Sequence, residues 1–140
     1  MDSKGQVSLE YLLIFSISLI ILIVFTLPLL EQSMDDAFDV SDSIKTKADL
    51  SKIAQAIKEV YGDGQGSKQT VYLDIDKPVK IDITKNHVSS KIKLKNNQQK
   101  EIRIDVISKL EKTSFKLSEG KKTFVIEWPE NSQNMIIHQE

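Results

Sequence analysis

The spacing of apolar residues divides the chain into three stretches. Residues 11–30 carry no formal charge and are almost entirely aliphatic or aromatic. Residues 34–61 place apolar side chains three or four positions apart, which is the spacing of one helix face. From residue 70 onward, apolar and polar residues alternate, as in strands that are buried on one face. The pattern predicts a long N-terminal helix followed by a small β domain.

The uncharged stretch 11–30 is long enough to cross a membrane. As a helix, its 20 residues span about 30 Å, the thickness of the hydrocarbon core of a bilayer. A secretory signal has a shorter apolar core and a small-x-small cleavage site, whereas Glu31 and Gln32 follow this stretch. We therefore expect the span to stay on the protein, and the simplest interpretation is an uncleaved single-pass anchor. Lys4 before the span and acidic residues after it predict a cytoplasmic N-terminus and an external C-terminal domain.

Four residues interrupt the aliphatic character of the span. Pro28 has no backbone N–H and clashes with the preceding turn, which predicts a kink or local unwinding near Phe25. Ser16, Ser18 and Thr26 either allow close contact between membrane helices or bond only their own helix backbone.

The amphipathic extension is expected to pack against the β domain. Its apolar stripe between residues 50 and 61 is predicted to enter the core, whereas Phe38 and Ile44 are candidates for contact with other protein chains. Residues 62–67, Gly-Asp-Gly-Gln-Gly-Ser, are expected to end the helix in a flexible turn. No Gly-Lys-Ser/Thr follows these glycines, so they do not resemble a phosphate-binding loop.

The alternating region predicts six or seven short strands. Turn signals separate them, among them Lys85-Asn86, Asn96-Asn97 and Glu119-Gly120. We therefore predict an α+β fold, in which a small antiparallel β-sheet or sandwich packs on the helix. So small a β domain is marginal alone, and the docked helix should matter for its stability.

Composition argues against several kinds of chemistry. The chain has 140 residues, a net charge of -1 and no cysteine, which excludes disulfides and thiolate sites. His87 at an expected turn and His138 near the end stand beside no plausible group of metal ligands. Lysines are frequent between residues 85 and 122 without interleaved exposed aromatics, so we expect no nucleic-acid partner. We predict no catalytic residue, no metal, no cofactor and no enzymatic activity.

The segment ahead of the span carries a recognisable signature. Residues 6–11, Gln-Val-Ser-Leu-Glu-Tyr, resemble the Q-x-S-x-E-Y motif of archaeal type IV pilin-like proteins with class III signal peptides. The resemblance implies that a prepilin peptidase cuts between Gly5 and Gln6 and leaves the apolar segment on the mature protein. Asp2 departs from the pattern, because an acidic residue in so short a leader weakens the charge signal. The signature positions are Gln6, Ser8, Glu10 and Tyr11.

Glu10 is the fifth residue after the implied cut. A carboxylate near lipid is unfavourable unless a cation pairs with it. Cleavage creates an α-amino group on Gln6 that is mostly protonated at neutral pH. By resemblance, this amine pairs with Glu10 of a neighbouring subunit and sets the register of assembly. The alternative is that Glu10 favours the positive end of its own helix, or pairs with its own N-terminus one turn back.

The resemblance also implies an organisation for the whole chain. Residues 1–5 form a leader that the peptidase removes, and residues 6–61 form the pilin helix with its transmembrane segment at about 11–30. A glycine-rich turn at 62–69 leads to an extracytoplasmic β domain at 70–140.

The function implied is that of a structural subunit of an archaeal type IV pilus-like surface filament that is assembled through its N-terminal hydrophobic helix and serves surface adhesion. Its expected partners are the prepilin peptidase, other pilin subunits in a homo- or heteropolymer, the pilus assembly ATPase with its membrane platform proteins, and the lipid bilayer. The expected location is first the cell membrane, as a single-pass protein, and then an extracellular filament. The alternative is a membrane-anchored extracytoplasmic binding module that does not enter a filament.

Overall fold

A computed structural model describes residues 3–140, with side chains from Ser8 onward. One helix, α1 (Ser3–Asp63), precedes seven strands. The strands are β1 (Lys68–Ile75), β2 (Val79–Ile83), β3 (His87–Lys93), β4 (Gln99–Asp105), β5 (Thr113–Leu117), β6 (Gly120–Glu127) and β7 (Ile136–Gln139). The predicted α+β fold class is confirmed.

Helix α1 is unbroken through Pro28, so the local unwinding predicted near Phe25 is wrong. Proline lacks a backbone N–H, which deprives the carbonyl of Val24 of its helical donor. The fixed φ of proline nevertheless suits a helix, and the aliphatic residues on both sides keep their own backbone bonds. The loss of one bond therefore does not interrupt the helix.

The helix extends two residues beyond its predicted end at Tyr61. The N–H of Gly64 donates to the carbonyl of Val60 at 3.1 Å, and Gly64 then turns the chain with a φ of +86°. The Ser67 hydroxyl donates to the same Val60 carbonyl at 3.0 Å. Strand β1 consequently begins at Lys68, two residues before the alternation was predicted to start.

The strands form two antiparallel sheets. One has the order β1-β6-β7 and the other the order β4-β3-β2-β5. The inner faces of the two sheets contact each other where the rings of Phe115 in β5 and Phe124 in β6 form a T-shaped pair, with centroids 5.1 Å apart. The region predicted as a sheet or sandwich is thus a pair of packed sheets.

The second half of α1 supplies one side of the core. The predicted stripe is confirmed, because Leu50, Ile53, Ile57 and Val60 are fully buried in one cluster with apolar residues of both sheets. Tyr61 stays partly exposed and stacks on Trp128, with the ring centroids 6.0 Å apart.

The chain divides into two compact units between Phe38 and Asp39. In the first unit, the described residues belong to α1 and none of the described side chains is buried. The second unit, Asp39–Glu140, contains the rest of α1, both sheets and the core.

Candidate functional site

The N-terminal part of α1 presents large apolar side chains on all its sides. Between Leu9 and Leu30 their exposure runs from 46% for Leu19 and Ile23 to 70% for Phe25. Fully burying such a side chain contributes about 1.5–3 kcal/mol relative to leaving it in water. A helix with this surface is stable only in lipid or against other apolar helices. Among the described residues, it is the one helix long and apolar enough to cross a membrane.

One serine within this segment and one just after it bond to the helix itself. The Ser16 hydroxyl donates to the Leu12 carbonyl at 2.8 Å, and the Ser33 hydroxyl donates to the Leu29 carbonyl at 2.9 Å. At Ser16 the structure thus matches the alternative in which the hydroxyl bonds its own helix backbone. Satisfied hydroxyls of this kind add little to the free energy of placing the segment in lipid.

The signature residues lie on the first turns of the same helix. Gly5 and Gln6 have helical backbone, and Ser8, Glu10 and Tyr11 expose their side chains. Met1 and Asp2 of the predicted leader, and the side chains of residues 3–7, lie outside the described part of the chain. The cut between Gly5 and Gln6 therefore stays a prediction.

Glu10 has no hydrogen-bond or ion-pair partner among the side chains described, which begin at Ser8. The helix puts Gln6 four residues, or about one turn, before Glu10. The geometry leaves room for both hypotheses about this carboxylate, pairing with its own N-terminus or with that of another subunit.

Charged residues of α1 bind two turns of the β domain within the second unit. Asp39 accepts the backbone N–H of Lys95, which lies between β3 and β4. One helical turn later, Asp42 pairs with Lys77 of the β1–β2 turn at 2.6 Å. Lys45 pairs with Asp76 of the same turn.

The hydrogen bonds to Asp76 and Asp42 raise the pKa of Lys45 and of Lys77 above the usual value of a lysine. Sequence reasoning missed all three contacts, because they join residues more than thirty positions apart and no local pattern marks them.

The two histidines lie on different sheets, His87 on β3 and His138 on β7. The prediction that His87 lies in a turn is wrong. His87 is the first residue of β3, and its Nδ1 lies 3.0 Å from the Thr84 hydroxyl. The Thr84 hydroxyl accepts the backbone N–H of His87 at 3.1 Å and closes the short connection between β2 and β3. His138 lies in β7 opposite Val125. Within residues 3–140, no group of three His, Cys, Asp or Glu side chains is placed to hold a metal ion.

A surface cleft lies between α1 and the β1–β2 turn in the second unit. Ion pairs of Lys45 and Lys77 lie along its rim, and Leu50 and Ile81 lie among the apolar residues of its wall. Asp49 also lines the cleft, beside Lys52 at 3.5 Å. The pairs Lys45–Asp76 and Lys77–Asp42 hold the helix to the β1–β2 turn, whereas Asp49 and Lys52 both belong to α1.

An exposed apolar helix at the N-terminus, joined to a small two-sheet domain, defines a class of proteins that are anchored in membranes or packed through that helix. A family model described as class III signal peptide matches residues 3–29. This match supports a type IV pilin-like protein, and such a signal peptide implies processing by a prepilin peptidase and export by pilus-type assembly machinery in general. The signal peptide family is one of structural pilin-type proteins. No curated protein and no solved structure matches the chain.

Proposed function

We propose that the protein is a structural subunit of an archaeal type IV pilus-like surface filament that serves adhesion. One observation carries the proposal: the matched segment 3–29 coincides with a helix whose apolar side chains are exposed on every side. A protein of this kind needs lipid before assembly and an apolar helix bundle after it. The two environments correspond to a membrane precursor and a filament core.

Processing is the first step of this function. A prepilin peptidase cuts the chain between Gly5 and Gln6, which removes residues 1–5 and leaves the span on the mature protein. The cut removes both Lys4 and Asp2, so it leaves the net charge of the chain unchanged. The N-terminal ammonium group moves from Met1 to Gln6, at the start of the span.

Assembly is the second step. The ammonium of Gln6 in one subunit pairs with Glu10 of a neighbour, and the surrounding apolar residues shield the pair from water. An ion pair removed from water interacts more strongly than an exposed one, provided both partners are present. Glu10 thus favours one register of the packed helices. The assembly ATPase and its membrane platform proteins move the subunit from the bilayer into the filament, which contains other pilin subunits of the same or a different kind.

The alternative is a single-pass anchor that holds a binding module outside the cell and never polymerises. Exposure of the span fits this alternative as well, because lipid alone covers an isolated helix. The two functions differ in the new N-terminus and in the presence of the protein in filaments.

Mass spectrometry of the protein extracted from the native membrane tests the first step. We expect a mature N-terminus at Gln6, and no such terminus in cells that lack the prepilin peptidase. Filaments sheared from the cells and purified test the second step, because they should contain the chain. A mature protein that begins at Met1 or Asp2 and is absent from filaments establishes the anchor instead.

A further inference from the structure

The outer face of the four-stranded sheet carries more basic than acidic side chains. Residues that alternate with the buried positions point away from the core on β2, β3, β4 and β5. Their charged members are five basic against three acidic side chains, whereas the whole chain has a net charge of -1. They are Lys80, Asp82, Lys91, Lys93, Glu101, Arg103, Asp105 and Lys116.

Three of these lysines form a row across the strands. Lys116 of β5 lies directly opposite Lys80 of β2 in the register of the sheet. The register of β2 with β3 pairs Ile81 with Ser90, and one step further along it places Lys80 beside Lys91. Adjacent strands are about 4.7–4.9 Å apart, so the three side chains leave the sheet at short, regular intervals. We call Lys91, Lys80 and Lys116 the lysine row.

The lysine row is unfavourable for folding of the sheet, although Asp82 and Glu101 offset part of its charge. Like charges directly opposite each other on neighbouring strands are destabilising. Lysine on an edge strand protects the edge from unwanted pairing, and this accounts for Lys116 on β5. Lys80 and Lys91, however, lie on β2 and β3, the two central strands of the sheet.

The acidic residues of the face neutralise only part of this charge. Asp82 accepts from Lys80 at 2.9 Å, and Asp105 accepts from Arg103 at 2.9 Å. Glu101 is opposite Lys91 in the register of β3 with β4. Lys93 and Lys116, both exposed, form no ion pair with another side chain of the described residues.

We propose that this face binds an acidic polysaccharide, a polymer with one carboxylate on many of its sugars. A flat row of lysines offers separate, hydrated point charges, which suit single carboxylates spaced along a chain. The only arginine of the face already bonds to Asp105, so recognition of an anion on this face falls to the lysines as point charges.

The other polyanions fit this surface less well. Among the outward positions of the four strands there is no aliphatic residue to enter a lipid surface, and no Phe, Tyr or Trp on which a nucleic-acid base could stack. The inference names a ligand for the proposed adhesive function. It rests on that function only because the β domain must lie outside the cell to meet the polysaccharide.

Binding to alginate, a linear polyuronate, tests the inference without any filament. The full-length chain is held in nanodiscs of zwitterionic lipid and passed over immobilised alginate, with neutral dextran as the reference surface. We expect salt-sensitive binding to alginate and none to dextran. The variant Lys80→Gln/Lys91→Gln/Lys116→Gln should bind at least about tenfold more weakly, because it removes the lysine row.

A matched variant removes the same charge elsewhere. Lys47, Lys58 and Lys68 are exposed and lie outside the four-stranded sheet, so the triple Gln substitution there should leave alginate binding within about twofold of the original. Circular dichroism of each variant reports folding, and the single substitution Lys116→Gln on the edge strand repeats the test with a smaller change. Equal losses in the two triple variants, or equal binding to dextran, overturn the inference.

Two further probes separate the possible ligands. One probe is a vesicle that contains anionic phospholipid, and the other is duplex DNA in solution. Each is offered separately to the same nanodiscs at the same ionic strength. We expect both to bind more weakly than alginate. Tighter binding of either one assigns the face to that polyanion and overturns the polysaccharide. None of these results depends on processing or polymerisation. A negative binding result therefore refutes the inference without refuting the proposed function.

Discussion

Both carboxylate oxygens of Asp39 lie 3.1 Å from the backbone nitrogen of Lys95. The contact ties the first residue of the second unit to the turn between β3 and β4. A hydrogen bond to a charged acceptor is stronger than one between neutral groups. Asp39 therefore helps to fix where the helix begins to bind the sheet.

Replacing Asp39 with alanine should destabilise the second unit. We expect a loss of about 1–2 kcal/mol in the free energy of unfolding, because the Lys95 N–H loses its charged acceptor. Urea denaturation of the full chain in detergent micelles, followed by Trp128 fluorescence, measures the change. Asp36→Ala provides the control, since it removes the same charge one turn earlier on an exposed position, and it should change stability by less than about 0.5 kcal/mol.

The buried stripe of α1 should contribute far more than its exposed neighbours. Ile53 is fully buried, whereas Ile44 on the same helix is 64% exposed. Ile53→Ala should destabilise the protein by about 2–5 kcal/mol, and Ile44→Ala by less than about 0.5 kcal/mol. Thermal unfolding measured by circular dichroism compares the two. Similar losses at both positions would mean that Ile53 is not in the core.

The Ser90 hydroxyl should contribute nothing to stability. Ser90 is buried on β3, and its Oγ has no hydrogen-bond partner among the described residues. Ser90→Ala removes this unsatisfied group, so the free energy of unfolding should stay the same or rise by up to about 1 kcal/mol. Ser108 is also buried, but its hydroxyl donates to the Lys85 carbonyl, so Ser108→Ala should lower stability by about 1 kcal/mol. A clear loss in the Ser90 variant contradicts the prediction.

The acid stability of the four-stranded sheet should depend on Asp82. The Ser114 hydroxyl and then Lys80 bond to this carboxylate and lower its pKa below the usual value. A carboxyl with a lowered pKa in the folded state contributes stability above about pH 4, and this contribution is lost as the pH falls through the folded-state pKa. Ser114→Ala should move the pKa of Asp82 up toward its usual value, which NMR titration of the carboxyl carbon detects. An unchanged titration curve would show that the hydroxyl does not act on Asp82.

Glu10 should be needed for assembly and not for processing. Glu10→Ala leaves the Gln6 ammonium without its partner among packed helices, which costs on the order of 1–3 kcal/mol per contact. We expect normal cleavage by mass spectrometry and about tenfold less protein in sheared filaments. Glu31→Ala removes a carboxylate beyond the other end of the span and serves as the control. Unchanged incorporation of the Glu10 variant would favour the alternative in which this carboxylate acts within its own helix.

Much of this fold follows from periodicity. A helical stripe and an alternating region each have one local structure that buries their apolar side chains, and an uncharged run of 20 residues is long enough for a membrane helix. Element boundaries were less predictable, because local hydrogen bonds decide them. Gly64 sets the end of the helix through its positive φ, and Thr84 brings His87 into β3 instead of a turn.

The division of the strands into two sheets is not visible in the sequence. Residues that pair across a sheet are far apart in the chain, and alternation states only which face of a strand is buried. The same limit applies to the contacts of Asp42 and Lys77. The N-terminal signature, in contrast, is a contiguous motif, and it pointed to the segment that the class III signal peptide family matches.

The nesting of the sheets sets an order in which they can form. Ile75 at the end of β1 pairs with Gly120 at the start of β6, while β2, β3, β4 and β5 all lie between them in the sequence. During synthesis, β1 is therefore made well before β6, the strand with which it pairs. The four-stranded sheet can close in the meantime through pairings of shorter range, and its formation brings the ends of β1 and β6 together. Sequence separation thus favours an order in which the four-stranded sheet forms before β1 pairs with β6.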